Sequence, residues 1–414
     1  MAYNRLRRFF PFAEQWYASR CNSPSTTILK QLLNRLFGRT RRLSIFLIEG
    51  TVSGDRSTAL FLGNMQKAHQ LACALYSETT KISTLGTTLA CHASQADPSQ
   101  VDAIMIDARN HDIKKLQRLG YLILPNISFT LDLQQPTDQI RRAMSRRRRR
   151  DIRGISQQNY GYVISTHRVQ DFDFFIWKMY LPYATKRFSK AAMLSPYDIL
   201  KGYYKGNGGI VFVTKHKKPL AGILFQIRKD TIYALVYGVY DGDAGFVKNQ
   251  AGTAALHFLI KWAKNKGLSW LDYGRTVPFF NDGIFTYKKE WGMTIKPHHE
   301  QPYCALKLNP TSKKAISLLQ KKPFIIYDKG ALRGCVIHDS RPRKEELKSI
   351  WARHYSPGLD SLTLLFYDYN THTCRIKQFP NKDADFQNSS KSEEILKVLM
   401  GTRQATHPKR NPIG

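Results

Sequence analysis

Acidic residues are scarce in this chain of 414 residues: 31 Asp and Glu face 64 Lys and Arg, a formal net charge of +33. The imbalance says nothing about fold. It does produce a field that attracts polyanions, whether nucleic acid, anionic lipid or a phosphorylated donor. Cysteine is sparse too: Cys21, Cys73, Cys91, Cys304, Cys335 and Cys374 stand far apart with no C-x-x-C pair. That spacing argues against a disulfide framework or a cysteine zinc site, so a reducing, cytoplasmic setting is the expectation. Long apolar runs are missing. No uncharged stretch approaches the roughly 18 residues of a membrane span. The aromatic cluster Phe9 to Phe12 is interrupted by Pro11 and followed by Glu14, which leaves no secretory core of about 7 to 15 apolar residues. A soluble chain is expected, peripheral to a membrane at most. The 12 histidines form no H-E-x-x-H pattern, and His298 and His299 are adjacent in a predicted strand, where they point to opposite faces. No metal is expected, nor any Ser-His-Asp or Cys-His nucleophile.

What is present is a repeated alternation of strand and helix signals. After a basic stretch, 1–42, in which Ile28, Leu32, Leu33 and Leu36 fall at helical spacing, strands are predicted at Leu43 to Glu49 and Ser57 to Leu62 and a helix at Asn64 to Tyr76. Strand, helix, strand follows at Ala103 to Ile106, His111 to Leu119 and Tyr121 to Leu124, giving an α/β lobe over 43–136. Gln139 to Gln158 has helical periodicity, with Ile140, Met144, Ile152 and Ile155 near one side and arginines around the remainder. Arg148 lies close to the apolar stripe and is predicted to point inward, where a guanidinium requires an anionic partner. Two readings stand for Arg146, Arg147, Arg148, Arg149 and Arg150: a solvated helix face, or a contact for polyanions or substrate.

Beyond a strand at Tyr160 to Thr166, the region Asp171 to Tyr183 carries Phe172, Phe174, Phe175, Trp177, Tyr180 and Tyr183 at helix-like spacing, which favours core packing over base stacking. A helix at Ser195 to Tyr204, with Ser195 as cap and Pro196 in first position, joins it in shaping an acceptor pocket. Strands are predicted at Gly209 to Thr214, Leu220 to Arg228 and Thr231 to Tyr240, then an amphipathic helix over Gln250 to Lys266. Leu268 to Leu271 reads as a buried strand ending at Asp272, so that Asp272, Tyr273 and Arg275 leave the sheet together, where α/β proteins place chemistry. A loop with Asp282-Gly283 leads into a short helix, Ile284 to Trp291, closed by Gly292. From Asn309 the pattern changes to a small α/β appendage, 311–414, with a polar tail after Met400.

This ordered set, with its closing Tyr287-Lys288-x-x-Trp291-Gly292, resembles the Fem-like branch of the acyl-CoA N-acyltransferase (GNAT) superfamily, which includes the peptidoglycan-bridge aminoacyltransferases and acetyltransferase-like relatives. The resemblance covers most of Gln139 to Leu308. It implies an α/β fold of tandem GNAT-like lobes, mixed and mostly antiparallel sheets flanked by helices. The first, degenerate lobe is expected over 43–136 and the second, with the active site, over 137–310. It further implies transfer from an acyl-CoA donor, acetyl-CoA foremost, to an amine acceptor such as a cell-envelope or sugar precursor. Asn249, Gln250, Ala251, Gly252, Thr253 and Ala254 are similar to the superfamily's phosphate-binding turn, with Asn249 where Gln or Arg is usual. Small residues at a helix start let N–H groups approach a pyrophosphate, although a plain packed helix start fits equally.

For the chemistry, Asp272 is the candidate base, Tyr273 or Tyr287 the candidate acid, and Lys288 the donor to phosphate or oxyanion charge that the resemblance implies. The bland reading of Lys288 is a surface lysine beside a buried Trp291. Arg275 is a candidate substrate contact. An aminoacyl-tRNA donor, used by Fem-type relatives, is the alternative. It ranks second because the long helical-hairpin insertion of the bridge enzymes is not legible in the second lobe. A non-catalytic nucleic-acid-binding or membrane-surface protein on a transferase fold is the third class.

Overall fold

The computed structural model describes residues 42–380, apart from residue 53 and the stretches 90–100, 109–111, 190–191, 193, 310–311, 339–343 and 369–372. The expected N-terminal helix and polar tail lie outside the described residues. In chain order come β1 (Arg42–Val52), β2 (Asp55–Gly63), α1 (Met65–Leu75), β3 (Glu78–Leu89), β4 (Ala103–Ile106), α2 (Ile113–Arg118) and β5 (Leu122–Asp132). Then follow α3 (Thr137–Ala143), α4 (Arg146–Gln157), β6 (Gly161–Ser165), α5 (Val169–Phe175), a π-helical turn (Ile176–Tyr180), α6 (Leu181–Phe188) and α7 (Tyr197–Asn207). The next elements are β7 (Gly208–Lys215), β8 (Lys218–Arg228), β9 (Thr231–Val239), α8 (Ala244–Lys248), α9 (Ala251–Asn265), β10 (Trp270–Thr276), α10 (Gly283–Lys289) and β11 (Thr294–Leu308). The appendage comprises α11 (Lys313–Gln320), β12 (Phe324–Asp328), β13 (Ala331–His338), α12 (Lys344–His354), β14 (Ser361–Asp368) and β15 (Thr373–Pro380).

Eleven strands form one sheet in the order β3-β1-β2-β4-β11-β5-β10-β9-β8-β7-β6, and β12-β13-β14-β15 form a second. Within the large sheet β2–β4 and β9–β10 are the parallel pairs and the remaining pairs are antiparallel. The fold is therefore α/β with a mixed, mostly antiparallel sheet and a small second sheet. The two expected lobes are continuous with one another: β11 lies between β4 and β5, and β5 lies between β11 and β10. One core cluster runs from α9 (Ala255, Leu259) through Phe285 and Trp291 to Leu332 and Leu362 of the appendage. No helix among the described residues is long and apolar enough to cross a membrane.

Three local features depart from the periodicity reading. The helix expected over Gln139 to Gln158 is two helices, because Met144 is extended and the Ser145 side chain accepts from the Arg148 N–H at 3.1 Å, starting α4 afresh. The aromatic helix passes through a π turn directly before Pro182, which has no N–H for the regular ladder. Of its aromatics, Phe172, Phe175 and Tyr180 are core, as expected, Phe174 and Tyr183 are half-buried, and Trp177 is exposed, against the expectation. At the third site the strand does not end at Asp272. β10 runs on to Thr276, interrupted by a bulge that sets Tyr273 and Gly274 opposite Phe129 of β5, with Gly274 at φ +72°.

Candidate active site

β9 and β10 lie in the middle of the large sheet, yet Tyr233 to Tyr237 and Asp272 to Gly274 are only half-buried. The cause is a splay. The two strands pair only from Thr231, Ile232 and Tyr233 to Trp270, Leu271 and Asp272, after which each continues without the other. A bulge in β9 reinforces this, since Leu224 faces Val236 while Phe225 faces Ala234, leaving Leu235 as the extra residue. Two bulged strands diverging from a parallel start make a cleft floored by unpaired backbone, a place where a carbonyl oxygen can find N–H donors.

Tyrosines line one wall of this cleft. Tyr183 from α6 meets Tyr237 of β9 edge to face at 4.8 Å, and Tyr273 of β10 lies 6.4 Å from Tyr287 of α10. Burial holds the phenols of Tyr237 and Tyr273 well above the ordinary value, with the neighbouring tyrosines adding to the effect. The Tyr287 phenol is also raised by burial, while the Arg148 guanidinium beside it pulls the other way. All are therefore neutral hydrogen-bond donors at physiological pH and none is a base. The guanidinium of Arg148 lies 4.6 Å from the Tyr287 ring and 5.1 Å from the Trp291 ring.

Arg148 is turned inward, as its place beside the apolar stripe predicts, and is 3% exposed. It donates from Nη1 to Thr253 Oγ1 and from Nη2 to Glu290 Oε2, both at 2.8 Å, and its Nη1 lies 3.3 Å from Asp151 Oδ2. Its Nε has no hydrogen-bond partner. One arginine thus ties α4 to the first turn of α9 and to the end of α10. Two more contacts fix the same junction: Ser145 N–H donates to the Glu290 carbonyl at 2.9 Å, and a side chain at Gly292 would come within 2.7 Å of Ala143.

Lys288 is buried rather than on the surface, 5% exposed. Its Nζ donates to the carbonyls of Gly274 and Arg275, each at 3.0 Å, so it satisfies the acceptors that the β10 bulge frees from the ladder. Burial pushes the amine down from 10.5 to about 7, opposed by the carboxylates of Asp272 and Asp282. A neutral amine has two N–H groups, enough for these two carbonyls. Asp272 is half-buried and accepts the Gly274 N–H at 2.7 Å, closing the same bulge. Arg275 is exposed at the outer end of β10. The structure thus gathers Asp272, Tyr273, Tyr287 and Lys288 around one bulge, with Lys288 beneath it.

The 249–254 turn lies at the mouth of the splay. Asn249 is exposed, Gln250 is left-handed at φ +66°, and Ala251, Thr253 and Ala254 are buried. The first N–H groups of α9 have no acceptor within the helix. The surroundings are filled: Gln250 donates to Asp151 at 3.2 Å, Tyr160 donates to the Asn249 carbonyl at 2.9 Å, and a Cβ at Gly252 would overlap the Tyr237 hydroxyl. Glycine is required here by that tyrosine.

The outward side of α3 and α4 is different in kind. Arg141, Arg146, Arg147, Arg149, Arg150 and Arg153 line a concave basin of about 580 Å³. α4 opens with five consecutive arginines and has no acid in its first turn, the positive end of its dipole, where each exposed cation costs about 0.3–1 kcal/mol. Of the expected group, Arg148 alone belongs to the cleft and the other four to the basin.

Tyr237, Glu290 and the hydroxyl contact of Thr253 carry no such sequence expectation, whereas Tyr183 belongs to the aromatic helix expected to shape an acceptor pocket. The signal for Tyr237 is weak but real: Ala234-Leu235-Val236 breaks the alternation of β9, as a bulge does. Among the described residues no group of three or more His, Cys, Asp or Glu could hold a metal ion.

The chain matches no protein-family model and no curated protein. Solved structures with a similar fold include FemX, 13% identical over 67% of this chain and 90% of that one, TM-score 0.35. L-PGS from Bacillus licheniformis is 13% identical over 72% of this chain and 95% of that one, TM-score 0.33. PaiA N-acetyltransferase from Thermoplasma acidophilum, in complex with coenzyme A, is 14% identical over 36% of this chain and 99% of that one, TM-score 0.25. At such scores the likeness carries no argument about activity, and the chemistry has to be read from this chain's own residues.

Proposed function

We propose that this chain is an N-acyltransferase that moves an acyl group from an acyl-CoA donor to an amine acceptor in the cleft between β9 and β10. The observation that carries the reading is the coincidence, at one splay, of unpaired strand backbone, the free N–H groups at the start of α9 and the buried Arg148 with its unpartnered Nε. The α9 turn and Arg148 would hold the donor's phosphates once the Tyr237 hydroxyl turns away from Gly252. The thioester carbonyl would lie along the open edge of β9 beyond the Leu235 bulge.

The amine nitrogen attacks the carbonyl carbon, and the oxyanion of the tetrahedral intermediate is held by backbone N–H groups and a neutral tyrosine hydroxyl. Collapse breaks the carbon–sulfur bond, the thiolate leaves, and the amine's proton passes to a base, for which Asp272 is the proposed group. Lys288 acts as a positioning residue that keeps the β10 bulge in shape. The acceptor is proposed to be an amine-bearing small molecule, a cell-envelope or sugar precursor being consistent with the resemblance, and the setting cytoplasmic.

A second reading, an aminoacyl ester carried on tRNA, is favoured by one observation. A thiolate with a pKa of about 8.5 leaves unassisted, whereas a sugar alkoxide needs a proton, and the cleft offers several neutral phenols. Incubating the protein with acetyl-CoA and a panel of primary amines, and following thiol release with mass spectrometry of products, tests the first reading. Thiol release that falls about 10²-fold or more in Tyr287→Phe, which removes a candidate oxyanion donor, is the expected result. Absence of coenzyme A binding, together with transfer from charged tRNA, would replace it by the second.

A further inference from the structure

The six arginines of the basin take no part in the cleft chemistry, and their arrangement is costly unless something anionic covers it. Arg147 lies 3.8 Å from Glu290 Oε1, and Arg149 donates to the Arg142 carbonyl at 3.2 Å. Among the described residues no carboxylate lies within ion-pair distance of Arg141, Arg146, Arg149, Arg150 or Arg153. We propose that the basin is a binding site for a compact polyphosphate, a small molecule carrying three or more linked phosphates.

Composition and shape select this ligand class. Guanidinium forks pair bidentately with phosphate oxygens, and the lining is arginine throughout. It has no aromatic ring on which a base would stack and no apolar side chain to enter a bilayer. The basin is wide open to solvent, and its volume of about 580 Å³ is a space into which six guanidinium groups can converge on one ligand. The positive end of the α4 dipole opens onto the same space, adding to the field.

The basin is joined to the cleft by Glu290, whose Oε1 faces Arg147 in the basin while Oε2 accepts from Arg148 in the cleft. Phosphates that draw Arg147 away leave Glu290 to Arg148 alone, and Arg148 is stacked on Tyr287. Glu290 is thus a carboxylate shared by the basin and the cleft.

Calorimetric titration with inorganic tripolyphosphate at physiological ionic strength tests the proposal. One-to-one binding is expected, at least about 10-fold tighter than inorganic phosphate and weakened at least about 10-fold in Arg146→Gln/Arg150→Gln/Arg153→Gln. These three side chains are exposed, so an unchanged melting temperature will show that the fold is intact. Lys217→Gln/Lys218→Gln/Lys229→Gln removes the same charge from exposed turns elsewhere and should leave the affinity within about 2-fold. Equal weakening by both triple variants would mean that net charge alone attracts the ligand, and would overturn the proposal. So would displacement of tripolyphosphate by single-stranded RNA or by phosphatidylglycerol vesicles at lower total phosphate, which would make the basin part of a nucleic-acid or membrane face.

Discussion

A buried amine is tolerable when it can shed its proton, and Lys288 is held where it can. The unfolded chain titrates this group near 10.5 and the folded chain near 7, so between those values the unfolded state binds a proton that the folded state does not. Stability from this group therefore rises as pH climbs from about 7 to about 10.5, and below 7 the full penalty of a buried charge is present. Lys288→Met should flatten that rise: relative to wild type, the variant should be more stable near pH 6 than near pH 10. Urea denaturation of both proteins across that range checks it, and a difference that does not change with pH would mean that the amine stays charged in the folded state. Sequence periodicity could reach this residue only in part. It marks Lys288 on a short helix near a strand end, but burial against Gly274 and Arg275 depends on a bulge in β10 that no spacing announces. Arg148 was more legible, because its inward direction follows from the stripe of Ile152 and Ile155 on its own helix.

At the level of elements, the junction of α4, α9 and α10 decides the shape of the cleft, and Arg148 is the side chain common to all three. Removing it strands Glu290 and Asp151, both largely shielded from solvent, without their shared cation. Deleting one partner of a buried pair costs about 3–5 kcal/mol. Arg148→Met is expected to lose stability on that scale and to lose turnover with it. Arg148→Lys keeps the charge but not the planar fork that reaches Thr253 and Glu290 together, so it should recover stability more than activity. Equal recovery of both would reduce Arg148 to a packing role. The break between α3 and α4 was missed in the sequence because Ser145 sits inside an otherwise continuous helical pattern. Its capping role appears only when its hydroxyl is seen to accept from Arg148. The strands β7 to β9 and the helix α9 are legible to within a residue or two, since turn residues bound each strand and α9 carries an amphipathic period.

For the whole molecule, the order of strands matters more than their number. β3 is invisible to periodicity because ETTKISTLGTTL carries few large apolar residues, and the strand expected at Tyr121 to Leu124 stops at Pro125 whereas β5 runs on to Asp132. Pro125 faces Pro302 of β11 at a register shift, where a missing N–H interrupts little. Pairing between residues as far apart as Leu122 and Leu306 leaves no mark on local patterning, so the interleaving of β11 and β5 comes from the structure. It has a consequence for stability. A fragment ending near residue 136 keeps β5 but loses both its neighbours, β11 and β10, and strips β4 of the partner on one side. The cores of the two halves and the appendage are likewise shared, with Phe279, Leu306 and Phe324 packed among the buried residues of α1 and β1. Residues 42–136 expressed alone should therefore give no cooperative thermal transition, whereas the full chain should melt in one transition seen identically by far-ultraviolet circular dichroism and tryptophan fluorescence. A fragment with native-like amide dispersion and its own sigmoidal melt would show that the first half folds without β11, and the large sheet would then be two docked units instead of one cooperative body.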